Sequence, residues 1–176
     1  DTSDTSAVPE IGAVVVDKGS VNYRARGQGT DLDVEFSLAP ESGNALPLSY
    51  KASGKWKNGA FTASGRAGGV LKFSQDTQAP FPLEVNAMAG RTTLKAKGSI
   101  ANLADLEGID ATFDLQGQNL DDLYTLLGVV MPSTPPYKLR GKLDKQGKLW
   151  AVSQIQGLLG KSDLSGALSF DPSAAV

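Results

Sequence analysis

The chain reads as all-β: a curved, mostly antiparallel sheet with one short α-helix near residues 120–127. Three observations predict this. Apolar and polar residues alternate with a period of two over segment after segment, the spacing that sorts side chains onto opposite faces of a strand. Glycine, 20 of 176 residues, recurs near the end of each alternating segment, where the chain must turn. A sustained stripe of leucines at helical spacing runs from Leu120 to Leu127.

The elements follow in order. Residues 1–9 form a polar, frayed lead-in, and the β-branched run 11–16 reads as a strand. Residues 17–20 supply a turn, and Val21, Tyr23 and Ala25 alternate with Asn22, Arg24 and Arg26 on the return. Past the Gly27-Gln28-Gly29 loop, Leu32, Val34, Phe36 and Leu38 share a face. Residues 40–47 (PESGNALP) make a joint inside what is otherwise one domain spanning 1–176. Leu48, Tyr50, Ala52, Gly54 and Trp56 then oppose Lys51, Ser53 and Lys55. Asn58-Gly59 marks a hairpin, because both residue types accept positive φ. Phe61, Ala63, Gly65 and Ala67 return on the apolar face. Leu83, Val85 and Ala87 pair with Leu94, Ala96 and Ile100 across a turn at Gly90. Ile109, Ala111, Phe113 and Leu115, then Tyr137, Leu139, Gly141 and Leu143, then Leu164, Gly166, Leu168 and Phe170 repeat the pattern. Weaker helical turns are expected around 69–73 and 103–106.

The one helix has its own signals. Asn119 caps it, Asp121 and Asp122 suit its positive end, and Gly128 ends it in a left-handed conformation. Leu120, Leu123, Leu126 and Leu127 form its apolar stripe and plug one end or flank of the sheet. About ten amphipathic strands present far more apolar surface than two helical turns cover. The sheet is therefore either an open groove whose lining meets something else, or a partly closed barrel or sandwich.

Composition excludes much chemistry. Without Cys there is no disulfide, Cys-ligated zinc or thiol nucleophile, and without His the commonest general base and metal ligand are missing. Asp121 and Asp122 point about 100° apart on a helix and do not face each other as acid and base. Ser162-Asp163 lacks an activating base, Gly27-Gln28-Gly29 lacks the third glycine of a dinucleotide loop, and Asp31 and Asp33 lie on a strand without a calcium loop. The expectation is no enzyme, no cofactor and no metal. Net charge is −2, yet residues 49–100 hold 8 Lys or Arg against 2 Asp or Glu. These cations alternate with apolar residues, which marks a solvated sheet face. Tyr50, Trp56 and Phe61 point away from Lys51, Lys55 and Lys57, unlike the interleaved aromatics and cations of single-strand nucleic-acid binders. No apolar run approaches the ~18 residues of a membrane helix. The chain begins at Asp1 without Met or a signal sequence, as expected of a processed or excised piece.

One stretch carries a resemblance. Gly117-Gln118-Asn119-Leu120 through Thr134-Pro135-Pro136-Tyr137, followed by glycine-punctuated strands to Ser162-Asp163-Leu164-Ser165-Gly166-Ala167-Leu168, resembles the C-terminal region of AsmA-family bacterial envelope proteins. Thr125 stands where that family more often has proline, inside the same short helical turn. The match covers about a third of the chain densely and is specific for family rather than for activity. The resemblance implies a periplasmic module cut from an inner-membrane anchor absent from this chain. Its implied partner is a phospholipid or other acyl-chain lipid, moved or shielded between inner and outer membrane along stacked β-repeats with an apolar floor. Protein partners stay unassigned. The residues expected to face lipid, or to fill a core, are Tyr50, Trp56, Phe61, Leu83, Val85, Leu94, Ile109, Phe113, Leu115, Tyr137, Leu139, Leu143, Leu164 and Leu168. The alternative is a structural or protein-interaction module with a closed core that influences outer-membrane protein assembly.

Overall fold

A computed structural model describes residues 18–25, 29–39, 46–56, 58–68, 80–102, 107–124 and 131–171. Ten strands occupy most of them: β1 (Lys18–Ala25), β2 (Thr30–Leu38), β3 (Leu48–Trp56), β4 (Gly59–Ala67), β5 (Phe81–Ala89), β6 (Thr92–Asn102), β7 (Glu107–Gly117), β8 (Tyr137–Gln146), β9 (Leu149–Leu159) and β10 (Ser162–Phe170). They form one sheet in chain order, and every neighbouring pair is antiparallel. Such an order follows from the sequence's turns, since an antiparallel partner is reached by a hairpin whereas a parallel one requires a long crossover.

The sheet is open. β1 pairs only with β2 and β10 only with β9, and among the described residues each strand makes its substantial contacts with its chain neighbours alone. Of the architectures the pattern allowed, the open sheet is the one formed; among the described residues neither a barrel nor a sandwich closes over the apolar face. Burial agrees. Ala67, Ile100, Leu123 and Tyr137 are the buried apolar residues among those described, and no large side chain is completely enclosed. A sandwich of this length would enclose many.

Several local expectations are corrected. Lys18, Gly19 and Ser20 belong to β1 instead of a turn, because Gly19 pairs with Phe36 and lies beneath its ring. In the hairpin after β3, positive φ falls on Asn58 (67°), while Gly59 already pairs with Trp56 as the first residue of β4. The expected strand at 11–16 and helical turns at 69–73 and 103–106 lie outside the described residues.

Over Leu120–Leu123 the expected α-helix is a 3₁₀ turn, and Tyr124, which follows it, is α-helical. Asp122 N–H donates to Asn119 O (3.2 Å), and the Tyr124 N–H donates to Asp121 O, the i→i+3 closure of that tighter helix. Asn119 caps it as predicted and does more besides. Its side-chain oxygen accepts from Asp121 N (3.0 Å) and from Thr134 N (2.9 Å), and its amide donates to Ser133 Oγ (2.9 Å). Leu120 N–H in turn donates to Thr134 Oγ1 (3.0 Å). The turn is thus clipped to the segment that leads into β8. Thr125, Leu126, Leu127 and Gly128 lie outside the described residues.

This connection seats on one end of the sheet. Asp122 reaches Arg91 of the β5–β6 turn (3.5 Å), and Pro136 O accepts from Gly160 N of the β9–β10 turn (2.8 Å). Leu123 is only 4% exposed, although among the described residues the sheet beside it has no second layer. Leu123→Asp should therefore cost about 3 kcal/mol or more, as a charge placed in a small core does. A thermal-melting comparison of the purified variant and parent checks it, with a lowered midpoint expected.

Candidate functional site: the apolar sheet face

Register carries apolar side chains across the whole sheet in transverse rows. One row runs through all ten strands: Val21, Val34, Ala52, Ala63, Ala87, Leu94, Leu115, Leu139, Gly157 and Leu164. A second joins Gly19, Phe36, Tyr50, Gly65, Val85, Ala96, Phe113 and Gly141. A third runs from Leu38 and Leu48 through Ala67, Leu83, Gly98, Ala111, Leu143 and Val152 to Leu168. Phe61 pairs with Gly54 and Ala89 towards one end, and Ile109 pairs with Ile100 and Lys145 towards the other. All fourteen residues expected on the apolar face therefore fall on one continuous surface. Tyr137 is buried, Trp56, Leu164 and Leu168 are exposed, and the rest are half-buried.

Small residues in these rows let large ones lie flat. Tyr50 crosses its partner Gly65 and donates from its hydroxyl to the Glu84 carbonyl of the next strand (2.8 Å). A Cβ at Gly65 would collide with that carbonyl and lie 2.6 Å from Tyr50 Oη. Tyr137 repeats the device over Gly117, its hydroxyl 3.4 Å from Thr92 Oγ1. Phe36 over Gly19 and Phe113 beside Gly141 extend it. Aromatics folded over glycine fill the sheet surface from within, which is how a single layer keeps order without a facing sheet.

β9 is the part of the surface the alternation does not reveal. Trp150 and Val152 pair with Lys145 and Leu143, whereas Ile155, Gly157 and Leu159 occupy the same face further along. The phase changes at a bulge, where Gln154 has φ 52° and the register of β8 slips between Arg140 and Lys142. Even-numbered and odd-numbered residues thus share one face, a pattern no fixed period of two predicts. The usable signal is the pair of apolar runs in opposite phase, 150–152 and 155–159.

The opposite face is polar and charge-matched. The cation surplus of residues 49–100 meets acids brought beside it by register: Asp31 faces Lys55 and Glu35 faces Lys51 across β2–β3, and Asp114 lies between Lys95 and Arg140. Glu84–Lys97 (2.9 Å) and Asp110–Lys142 (3.1 Å) close as ion pairs. Shallow hollows of about 590 Å³ and about 780 Å³ open on this side, among Lys51, Ser53, Thr62, Ser64 and Asn86 in the first and Ser20, Ser37, Ser49 and Arg66 in the second. Among the described residues no cluster of acidic side chains suits a metal ion and no helix is long and apolar enough to cross a membrane.

The open, apolar, ten-stranded face thus adjoins a Pro-Pro-Tyr connection clipped by Asn119. AsmA family protein YhjG of Escherichia coli (strain K12) is 29% identical to this chain over 125 residues, 68% of the chain. The chain is related to the AsmA family. It spans 18% of the length of that AsmA relative. No family model and no solved structure matches it.

Burial pushes the Tyr50 hydroxyl up to about 12. The folded state therefore holds this proton more tightly than the unfolded chain, whose tyrosines titrate near 10. The stability so contributed is complete below about pH 10 and is lost as pH rises through about 12. Urea-unfolding midpoints should fall more steeply between those values for the parent than for Tyr50→Phe; equal slopes would show that Tyr50 ionises freely in the folded state.

Proposed function

We propose that this chain is a non-enzymatic module of a cell-envelope protein, and that its open apolar face carries or shields phospholipid acyl chains between the inner and outer membranes. The observation that carries the reading is the apolar row crossing every strand from Val21 to Leu164 with no second layer over it among the described residues. The AsmA relationship supports an envelope setting, with the module in the periplasm and the full-length protein anchored to the inner membrane. Outer-membrane integrity is the role this reading serves.

The energetics fit a passive conductor. Exposing a two-chain phospholipid of ~30 CH₂ groups to water costs on the order of 20 kcal/mol at ~0.8 kcal/mol per group. A continuous apolar surface replaces most of that cost, so lipid slides without crossing water. Ten strands at ~4.8 Å spacing extend this surface roughly 50 Å across the strands. A closed-core structural module is the competing reading, and the half-exposed state of Val85, Phe113 and Leu139 counts against it.

Glutamate substitutions separate the two. On an open face, Val85→Glu or Leu139→Glu leaves the carboxylate at water and costs about 1 kcal/mol, whereas a sealed core would lose about 3–5 kcal/mol. The expected result is a folded variant that no longer retains a fluorescent fatty-acyl probe bound by the parent. A parent that never binds the probe, with variants that unfold, would establish the closed-core module instead.

A further inference from the structure

Lys145 is the charged residue in the cross-strand row Ile100, Ile109, Lys145 and Trp150, and it is 8% exposed. It lies on β8 between Ile109 and Trp150, at the end of the sheet opposite the 3₁₀ connection. Its ammonium is 5.6 Å from the centre of the Trp150 ring and 3.6 Å from Glu107 Oε1. The ion pair is longer than a hydrogen bond, so the ammonium retains donor capacity for another acceptor. Glu107 is held from behind, its Oε2 accepting from Gly147 N (2.8 Å), while its side chain stays 41% exposed. An apolar residue at position 145 would pack as well or better, because desolvating an ion pair offsets most of its Coulombic gain. Strand pairing alone does not call for a lysine here.

We infer that Lys145, Glu107 and Trp150 form a headgroup site at the rim of the apolar face for a zwitterionic phospholipid bearing a primary amine and a phosphate. The inference rests on the lipid reading above and adds the class of lipid. Lys145 pairs with the phosphate, and Glu107 with the ammonium. Trp150 supplies a ring face to a cation and an amphipathic surface at the boundary between acyl chain and water. A purely anionic headgroup meets the Glu107 carboxylate as well as the Lys145 ammonium, whereas a zwitterion satisfies both. The acyl chains then run from Trp150 onto the Ile109, Ile100 and Leu143 surface.

The test compares retention of two acyl-labelled phospholipids with identical chains, one with an ethanolamine and one with a glycerol headgroup, by the parent, Lys145→Met and Glu107→Gln. Glu107→Gln preserves an acceptor for Gly147 N, and Lys145→Met preserves apolar bulk, so both should fold; melting curves verify this. The parent should prefer the ethanolamine lipid by about five-fold, the effect of one partly exposed ion pair; Glu107→Gln should bind the two lipids equally, and Lys145→Met should hold both several-fold more weakly than the parent. A parent that binds both lipids without preference, a Glu107→Gln variant that keeps the parent's preference, or a Lys145→Met variant that holds both lipids as tightly as the parent overturns the headgroup site and leaves the lipid reading standing. A parent that retains neither lipid overturns both.

Discussion

Everything distinctive about this molecule depends on ten antiparallel strands keeping the same phase. Side chains alternate with a period of two, so a slip of one residue in any hairpin would turn that strand's apolar set to the other side and break the surface. Hairpins closed by Trp56 and Gly59, and those at Gly90–Arg91, Gly147–Lys148 and Gly160–Lys161, hold that phase from strand to strand. Where alternation fails, in β9, a bulge at Gln154 absorbs the extra residue and returns Ile155 and Leu159 to the face already occupied by Trp150 and Val152.

A single-layer sheet must answer two physical problems. The first is internal order without a facing layer, which aromatic rings folded over glycine provide: Tyr50 over Gly65 and Tyr137 over Gly117 bury ring surface against the sheet's own backbone. The second is the polar side. There, cations of β3, β6 and β8 stand beside acids of β2, β5 and β7, which favours the native register and disfavours slipped ones through like-charge contacts. Each exposed pair contributes little stability alone; together they distinguish one alignment from its neighbours.

The two ends of the strands differ in chemistry. At one, Asn119 clips the Leu120–Leu123 turn to Thr134, and Leu123 and Tyr137 are buried. At the other, Lys145 and Glu107 put a charge pair beside Trp150 where the apolar rows stop. An apolar surface with a sealed end and a polar, aromatic end has a direction, and an amphipathic ligand lying on it would have one too.

The strands, their faces and the capping role of Asn119 were legible in the sequence, because alternation and capping are set by residues within a few positions of each other. Ala52, Ala63 and Ala87 could be placed on the apolar side from spacing alone, and all fourteen expected surface residues meet on that side. The tertiary structure decided what no local pattern contains. Whether the sheet closes depends on whether β1 and β10 meet, residues more than a hundred positions apart. The cation surplus of 49–100 is dispersed where register sets Lys51, Lys55 and Lys95 against Glu35, Asp31 and Asp114, acids from outside that segment. Residues 120–123 of the helical pattern form a 3₁₀ turn clipped to Thr134 by Asn119 and Leu120, across a connection the periodicity does not see. No spacing singles out Lys145; only the pairing of β7, β8 and β9 brings Ile109, Glu107 and Trp150 around it, since burial is a property of neighbours in space.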